Sequence, residues 1–296
     1  MKKYLLRSIK FLTGIIPASF FISAYIFFCK NAFLKKILNS FIIRVLPDEA
    51  VLPEGRLILN KEDPVVSGAV SFGVYEKFET KLLRNEVKPG MVIVDIGANI
   101  GYYTLILAGL TGASGKLYAF EPDPANFGYL QKTTKLNNLT NVELFNVALG
   151  DRDGVVSLYL SESNKGDHRI YDVEKEGRKK LDIKMIRLDD VLEKNGFKAD
   201  LVKMDVQGAE GLVLEGAKKT IAMNPDLIIY TEFWPDGLKN SGADPMKIFS
   251  DLNERFDVFE INENDGTTVR VGEPGIFMKK YRGRKYANLI CRSRKK

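Results

Sequence analysis

Residues 92–104 read Val92-Ile-Val-Asp-Ile-Gly-Ala-Asn-Ile-Gly-Tyr-Tyr-Thr104, and Glu121 follows seventeen residues later within Ala119-Phe-Glu-Pro-Asp123. The short apolar run closing on Asp95 has the pattern of a buried parallel strand. Gly97 and Gly101 permit a tight turn and close backbone approach, and Tyr102–Leu110 begins a helix whose first N–H groups face a ligand. Leu117–Phe120 reads as a second strand, delivering Glu121 to the place from which a strand-end carboxylate binds ribose hydroxyls. Together these parts describe an adenosine pocket.

The turn is Gly-x-Asn-x-Gly and lacks the third glycine of the Gly-x-Gly-x-x-Gly loop that lies against a pyrophosphate, which disfavours NAD. No Gly-x-x-x-x-Gly-Lys-Ser/Thr loop for a triphosphate is present. An acidic residue, Asp95, at the head of the loop suits a ligand without phosphate and with positive charge. S-adenosylmethionine, with its sulfonium and ammonium, meets that description. The alternative is a packing turn in some other α/β domain.

Further motifs follow in order: Phe72-Gly-Val-Tyr-Glu-Lys-Phe-Glu79, Phe120-Glu-Pro-Asp123, Asn146-Val-Ala-Leu-Gly150, Gly166-Asp-His-Arg-Ile170, Lys203-Met-Asp-Val-Gln-Gly-Ala-Glu210 and Thr231-Glu-Phe233. With Asp95–Thr104 they make residues 65–292 resemble the FkbM family of S-adenosylmethionine-dependent methyltransferases. The chain departs from that pattern at Gln207, where the family usually has Glu.

Strand- and helix-like runs alternate through the chain: strands at 91–96, 117–120, 142–146, 200–204 and 226–231, helices at 102–110, 124–137, 210–222 and 245–254. Phe256–Asn262 and Tyr286–Arg292 complete the set, while Val155–Leu160 and Asp182–Arg187 flank a charged stretch. Such repetition predicts an α/β, doubly wound, mostly parallel sheet with its pocket at the carboxyl ends of the strands. The resemblance implies seven strands in a Rossmann-like, class I methyltransferase arrangement, the last inserting antiparallel beside the fifth. The expected division is a helical arm over 1–46, a linker with lead-in strand and helix over 47–90, and the methyltransferase domain over 91–296.

Methyl transfer needs donor and acceptor aligned, water excluded and, for many acceptors, a proton removed. Asp205, at a strand end opposite the glycine turn, is the best candidate for a base, with helix capping as its alternative role. Glu232 ends the next strand and can share that work. His168 is the sole histidine; its titration range and its place in a family-matching stretch make it a candidate at the acceptor site. Around the cofactor the expected residues are Asp95, Gly97, Asn99, Gly101 and Glu121. The resemblance adds Tyr75 and Glu76, closing over the methionine end, and Pro122, Asn146 and Ala148. Glu210 is expected to favour its helix through the helix dipole. No metal is expected, since one histidine and no clustered thiols leave only carboxylates as ligands. The resemblance and the arm described below point to O-methylation of a sugar, glycan or glycolipid hydroxyl. The alternatives are N-methylation, methylation of a polyketide or other small metabolite, and a silent cofactor-binding module.

The 296 residues carry a net charge of +6 distributed unevenly. Residues 1–46 hold eight Lys/Arg and residues 279–296 hold nine, neither with an acid; removing both from 44 basic and 38 acidic residues leaves 27 against 38, a net charge of −11. A nucleic-acid enzyme would carry positive charge on its catalytic face, so nucleic acid is not an expected partner. Phe11–Cys29 is free of charge, and Phe33–Leu46 has the spacing of an amphipathic helix. Residues 1–46 are therefore expected to associate with an anionic membrane surface on the cytoplasmic side, the rival reading being a helical cap on the domain. Two distant cysteines, Cys29 and Cys291, suit a reducing compartment.

Overall fold

The computed structural model describes residues 20, 24–25, 27–28, 30–162, 164–172, 177–283 and 285–294. Helix α1 (Ala32–Val45) starts at Asn31, whose side chain accepts from the N–H groups of Phe33 and Leu34. One face packs on the domain through Ile42 and Val45, whereas Phe33, Leu34, Ile37 and Phe41 on the other are exposed. Most of the stretch 11–29 lies outside the described residues. Among those residues, no helix is long and apolar enough to cross a membrane.

The linker expected ahead of the lead-in strand holds a strand of its own, β1 (Glu49–Leu52), which pairs as a hairpin with that lead-in strand, β2 (Gly55–Ile58), Glu49 standing opposite Ile58. Pro53-Glu-Gly55 supplied the turn signal and masked the short strand β1 before it. Helix α2 (Val66–Phe72) was not foreseen; the Asp63 carboxylate receives the N–H groups of Val65, Val66 and Ser67. Helix α3 (Lys77–Glu86) then leads into the sheet.

The remaining elements run β3 (Val92–Ile96), α4 (Tyr102–Thr111), β4 (Lys116–Phe120), α5 (Pro124–Leu136), β5 (Val142–Phe145), β6 (Ala148–Leu149), β7 (Gly154–Leu160), β8 (Lys179–Ile186), α6 (Leu188–Leu192), β9 (Leu201–Met204), α7 (Glu210–Glu215), α8 (Lys218–Met223), β10 (Ile228–Phe233), α9 (Pro235–Asn240), α10 (Pro245–Arg255), β11 (Phe256–Asn262), β12 (Thr267–Arg270), α11 (Pro274–Lys280) and β13 (Ala287–Ser293). The main sheet has the order β12-β11-β13-β10-β9-β3-β4-β5. Strands β10, β9, β3, β4 and β5 pair parallel, and β13 enters antiparallel between β10 and β11, beside the fifth core strand as expected. The sheet has eight strands rather than seven. The extra edge strand, β12, is exposed at all four positions and carries no apolar pattern to announce it.

Chain reversal between β4 and β9 across β3 creates the switch point at which α/β sheets bind ligands. Apolar clusters cover both faces: one built on Ile93, Leu105, Ile106 and Tyr230, the other on Met204, Phe233, Phe249 and Leu252. Burying each such side chain contributes about 1.5–3 kcal/mol. The two strands flanking the charged stretch leave the main sheet altogether and form a second one, β6-β8-β7, whose own core is Ala148, Leu158, Ile183 and Met185. The predicted helix 210–222 is two helices; a Cβ on Gly216 would meet the Gly150 carbonyl oxygen at 1.9 Å, so the chain bends there.

Candidate active site

A cavity of about 270 Å³ opens at the carboxyl ends of the parallel strands. Of the residues expected there, Tyr75, Glu76, Asp95, Gly97, Asn99, Glu121, Pro122, Ala148, His168, Asp205 and Glu232 line it. Gly101 and Asn146 do not. Gly101 sits at φ 92° ahead of α4, where a Cβ would lie 2.8 Å from Leu130 Cδ1; it serves packing between α4 and α5. The Asn146 amide donates to the carbonyls of Glu121 and Pro122 at 2.8 and 3.1 Å, holding the loop from behind.

At one end, Glu121 is buried and receives the backbone N–H of Asn99 at 2.7 Å and of Asp123 at 2.8 Å. Burial pushes its carboxyl up to about 8 against the pull of those donors. Asp95 accepts from the Thr104 hydroxyl at 2.6 Å, and burial raises it to about 6. Gly97 has φ 81°, and a Cβ there would stand 2.0 Å from the Asp205 carbonyl oxygen, so only glycine lets the end of β3 pass the end of β9. Asn99 Nδ2 and Asn126 Nδ2 both donate to the Lys165 carbonyl, drawing the loop before Gly166 over the turn. The wall above is apolar: Val147, Leu149, Leu158 and Ile170, from the second sheet and its loop.

At the other end stands a crowd of carboxyl groups. Glu76 accepts from the Tyr103 hydroxyl at 2.6 Å, and burial followed by the nearby Glu79 raises it to about 8. Gln207 Nε2 donates to Asp205 Oδ1 at 2.8 Å and to Glu232 Oε2 at 3.2 Å. Lys203, buried inside β9, lies 3.5 Å from Glu79 Oε1 and 4.8 Å from the centre of the Tyr103 ring. Burial disfavours its charge, yet Glu79, Asp205, Glu76 and Asp95 together hold it above the ordinary lysine range. Among the described residues, three of the five non-glycine positions with positive φ, namely Glu76, Asn99 and Gln207, line this one cavity. Backbone strain is thus concentrated where pre-organisation serves a ligand.

Two roles weighed from the sequence resolve on this geometry. Asp205 does not cap α7: the helix starts at Ala209 without a side-chain cap, and Glu210 Oε1 takes the N–H groups of Val206 and Gly208. His168 reaches the cavity wall, but its Nδ1 accepts from the Ser161 N–H at 3.0 Å and its Nε2 faces Asp123 Oδ2 at 3.4 Å. Both nitrogens face protein groups, and the ring links Ser161 to Asp123 at the start of α5. Burial raises Asp123, but the neighbouring His168 ring and the N–H groups of Asn126 and Ala125 prevail and hold it below its usual range. Lys203, Gln207 and Tyr286 were not singled out as site residues, yet all three line the cavity. Lys203 had a signal, since a charge inside a fully buried four-residue strand requires partners.

The sheet order, the glycine turn with its strand-end acid, and an acidic cavity able to receive cationic charge define an S-adenosylmethionine-dependent methyltransferase of the α/β class. The methyltransferase FkbM domain matches residues 95–256, more than half of the chain, and the protein belongs to that family. The 2-O-methyltransferase NoeI of Sinorhizobium fredii (strain NBRC 101917 / NGR234) is 30% identical over 187 residues, covering 58% of this chain and 74% of that protein. The 31-O-demethyl-FK506 methyltransferase FkbM of Streptomyces tacrolimicus is 26% identical over 199 residues, covering 56% and 74%. Among solved structures, methyltransferase FkbM from Methylobacillus flagellatus KT aligns with a TM-score of 0.41 at 14% identity, covering 87% of this chain and 59% of that one.

Proposed function

We propose that the protein transfers a methyl group from S-adenosylmethionine to a hydroxyl of a sugar, glycan or glycolipid precursor. The observation that carries this reading is the Asp205 carboxylate at the cavity wall beside Glu232, a paired acceptor suited to orienting and deprotonating a hydroxyl. The name of the NoeI relative, a 2-O-methyltransferase, supports oxygen as the methylated atom.

When bound, the cofactor supplies an electrophilic methyl on a sulfonium. Glu121 holds the ribose hydroxyls with the lone pairs its two backbone donors leave. Pro122, Ala148 and the apolar wall enclose the adenine. Asp95, Asn99, Tyr75 and Glu76 hold the methionine end, with Glu76 toward the ammonium. Asp205 takes the acceptor hydroxyl proton, and the loop before Gly166 excludes water. Incubating the protein with labelled S-adenosylmethionine and fractionated host glycans and lipids, then finding the labelled product by mass, tests the reading. Label on an O-methyl sugar is expected; label on nitrogen overturns the acceptor class.

Residues 1–46 are read as a distinct membrane-facing arm. Support comes from α1, where exposed Phe33, Leu34, Ile37 and Phe41 share the helix with exposed Lys36 and Arg44. Each basic residue near anionic lipid adds about 1 kcal/mol. Sedimentation with phosphatidylserine-containing vesicles, retained in part at high salt, is expected of the full chain. Equal recovery without vesicles overturns the arm's role alone.

A further inference from the structure

Asp205 follows β9 and Glu232 lies on β10, the neighbouring parallel strand. Between them stands Gln207, whose amide nitrogen gives one hydrogen to each carboxyl group, at 2.8 and 3.2 Å. The backbone supports this at a cost, since Gln207 has φ 53°, in the left-handed region. A glutamate in the same place would bring no donor and a third negative charge. The amide is therefore the group that allows the half-buried Asp205 and the buried Glu232 to stand together.

Charged and titratable groups face this pair from every element packed around it. Glu76 and Glu79 come from the start of α3, Asp95 from β3, Lys203 from β9, Glu210 from α7, and the Tyr286 hydroxyl from the segment before β13. The Tyr75 phenol faces Asp205 and the Tyr171 phenol faces Glu232, while Tyr103 bonds Glu76. Lys203 thus faces Glu76, Glu79, Asp95, Asp205 and Glu232 at once. Burial, then the charges of Asp205 and Glu210, push Glu232 well above the usual carboxylate range. Five carboxyl groups against the single Lys203 ammonium leave the cluster short of positive charge, which favours uptake of a proton or of a second cation.

We propose that Asp205, Gln207 and Glu232 form one proton-holding unit matched to the cofactor's sulfonium. The pair is ionised beside the charged sulfur and binds a proton once that charge is gone, with Gln207 as its positioning residue. The inference rests on the hydroxyl-methylation reading. In the transfer, the acceptor oxygen bonds to the methyl carbon, and the carbon–sulfur bond breaks with its electrons left on sulfur. The hydroxyl proton passes to the Asp205–Glu232 pair. One positive charge leaves sulfur as one negative charge leaves the pair, so the buried site keeps its net charge throughout. A dry, low-dielectric site gains most from that balance.

Calorimetric titration of the full chain with S-adenosylmethionine and with its demethylated product S-adenosylhomocysteine tests this without an acceptor. Repeating it in buffers of different ionisation enthalpy, from about pH 6 to about pH 8.5, counts the protons released on binding. The wild type is expected to release more protons with the sulfonium ligand. Glu232→Gln should cut that difference at least twofold, and Gln207→Glu should enlarge it. The ligands' own amines titrate alike with each variant and so cancel between proteins. An undiminished difference in Glu232→Gln, or an unchanged one in Gln207→Glu, overturns the proposal. Should Glu232→Gln fail to fold, the wild type alone decides: a proton count that differs between the two ligands by no more than their amines account for also overturns it. Failure of both ligands to bind would instead overturn the cofactor site, and the unit with it.

Discussion

The two ends of the cavity each place a buried glutamate after or within a parallel strand, yet they hold it differently. Glu121 is fixed by two backbone N–H groups, from Asn99 and Asp123, which the turn itself supplies. Glu232 is fixed by a side-chain amide and surrounded by other acids. The first arrangement is set once the backbone folds. The second depends on a network in which each member's protonation answers to the others. One end is built to recognise, and the other to change charge.

Lys203 offers the hardest break of that comparison. Lys203→Met leaves Glu79 and its neighbours buried without their cation and should cost about 3–5 kcal/mol of apoprotein stability in urea denaturation. A loss below about 1 kcal/mol would mean that the acidic end needs no counter-charge and is not a charge-changing network. Next, Asp205→Asn should lower turnover about a hundredfold while affinity for the uncharged product S-adenosylhomocysteine stays within about twofold. Weakened product binding in equal measure would merge the two ends into one. Glu121→Ala should do the opposite, weakening cofactor binding by about 1.5–3 kcal/mol in calorimetry. Normal affinity would remove Glu121 from the recognition end.

The smallest effect is a slope with pH. Glu76 and Glu121 are held at about 8 and Asp95 at about 6, all above their ordinary values. Folding therefore favours their protonated forms. Their contribution to stability is fully present below about pH 4 and is lost as pH rises through the folded values. The apoprotein's melting temperature should carry that downward slope between about pH 5 and about pH 8, and saturating cofactor should flatten it. Glu76→Gln should reduce the slope; an identical slope would show that Glu76 stays ionised throughout.

The recognition end was legible in the sequence because backbone geometry dictates it. Gly97, Asn99 and Glu121 sit at spacings that only a strand–turn–helix–strand path satisfies, and Asp95 and Asp205 mark strand ends after apolar runs. The charge-changing end was legible residue by residue but not as a network. Nothing local to Gln207 reveals that its amide reaches Glu232, twenty-five residues away on another strand. The second sheet was hidden for a similar reason: its strands were visible, but their separation from the main sheet depends on packing around Met185 and Ile183. Helices α9 and α11 were missed although each begins with proline at its first turn, because both are too short for a helical period to stand out.

Strand β13 lies between β10 and β11, although both precede it in the chain. Until residues 287–293 arrive, the two older strands face each other across an open slot. Asn288 then bonds Glu79 across 209 residues, and Arg292 pairs with Glu86 across 206. Closure of the central sheet is therefore a late, long-range event during synthesis, governed by a chain-closure search rather than by local structure. Without β13, the strands β10 and β11 would each lack the ladder they make with it, and the buried Ile290 and Cys291 would leave an apolar gap. Dependence on chaperones, and any tendency to aggregate, should be greatest there.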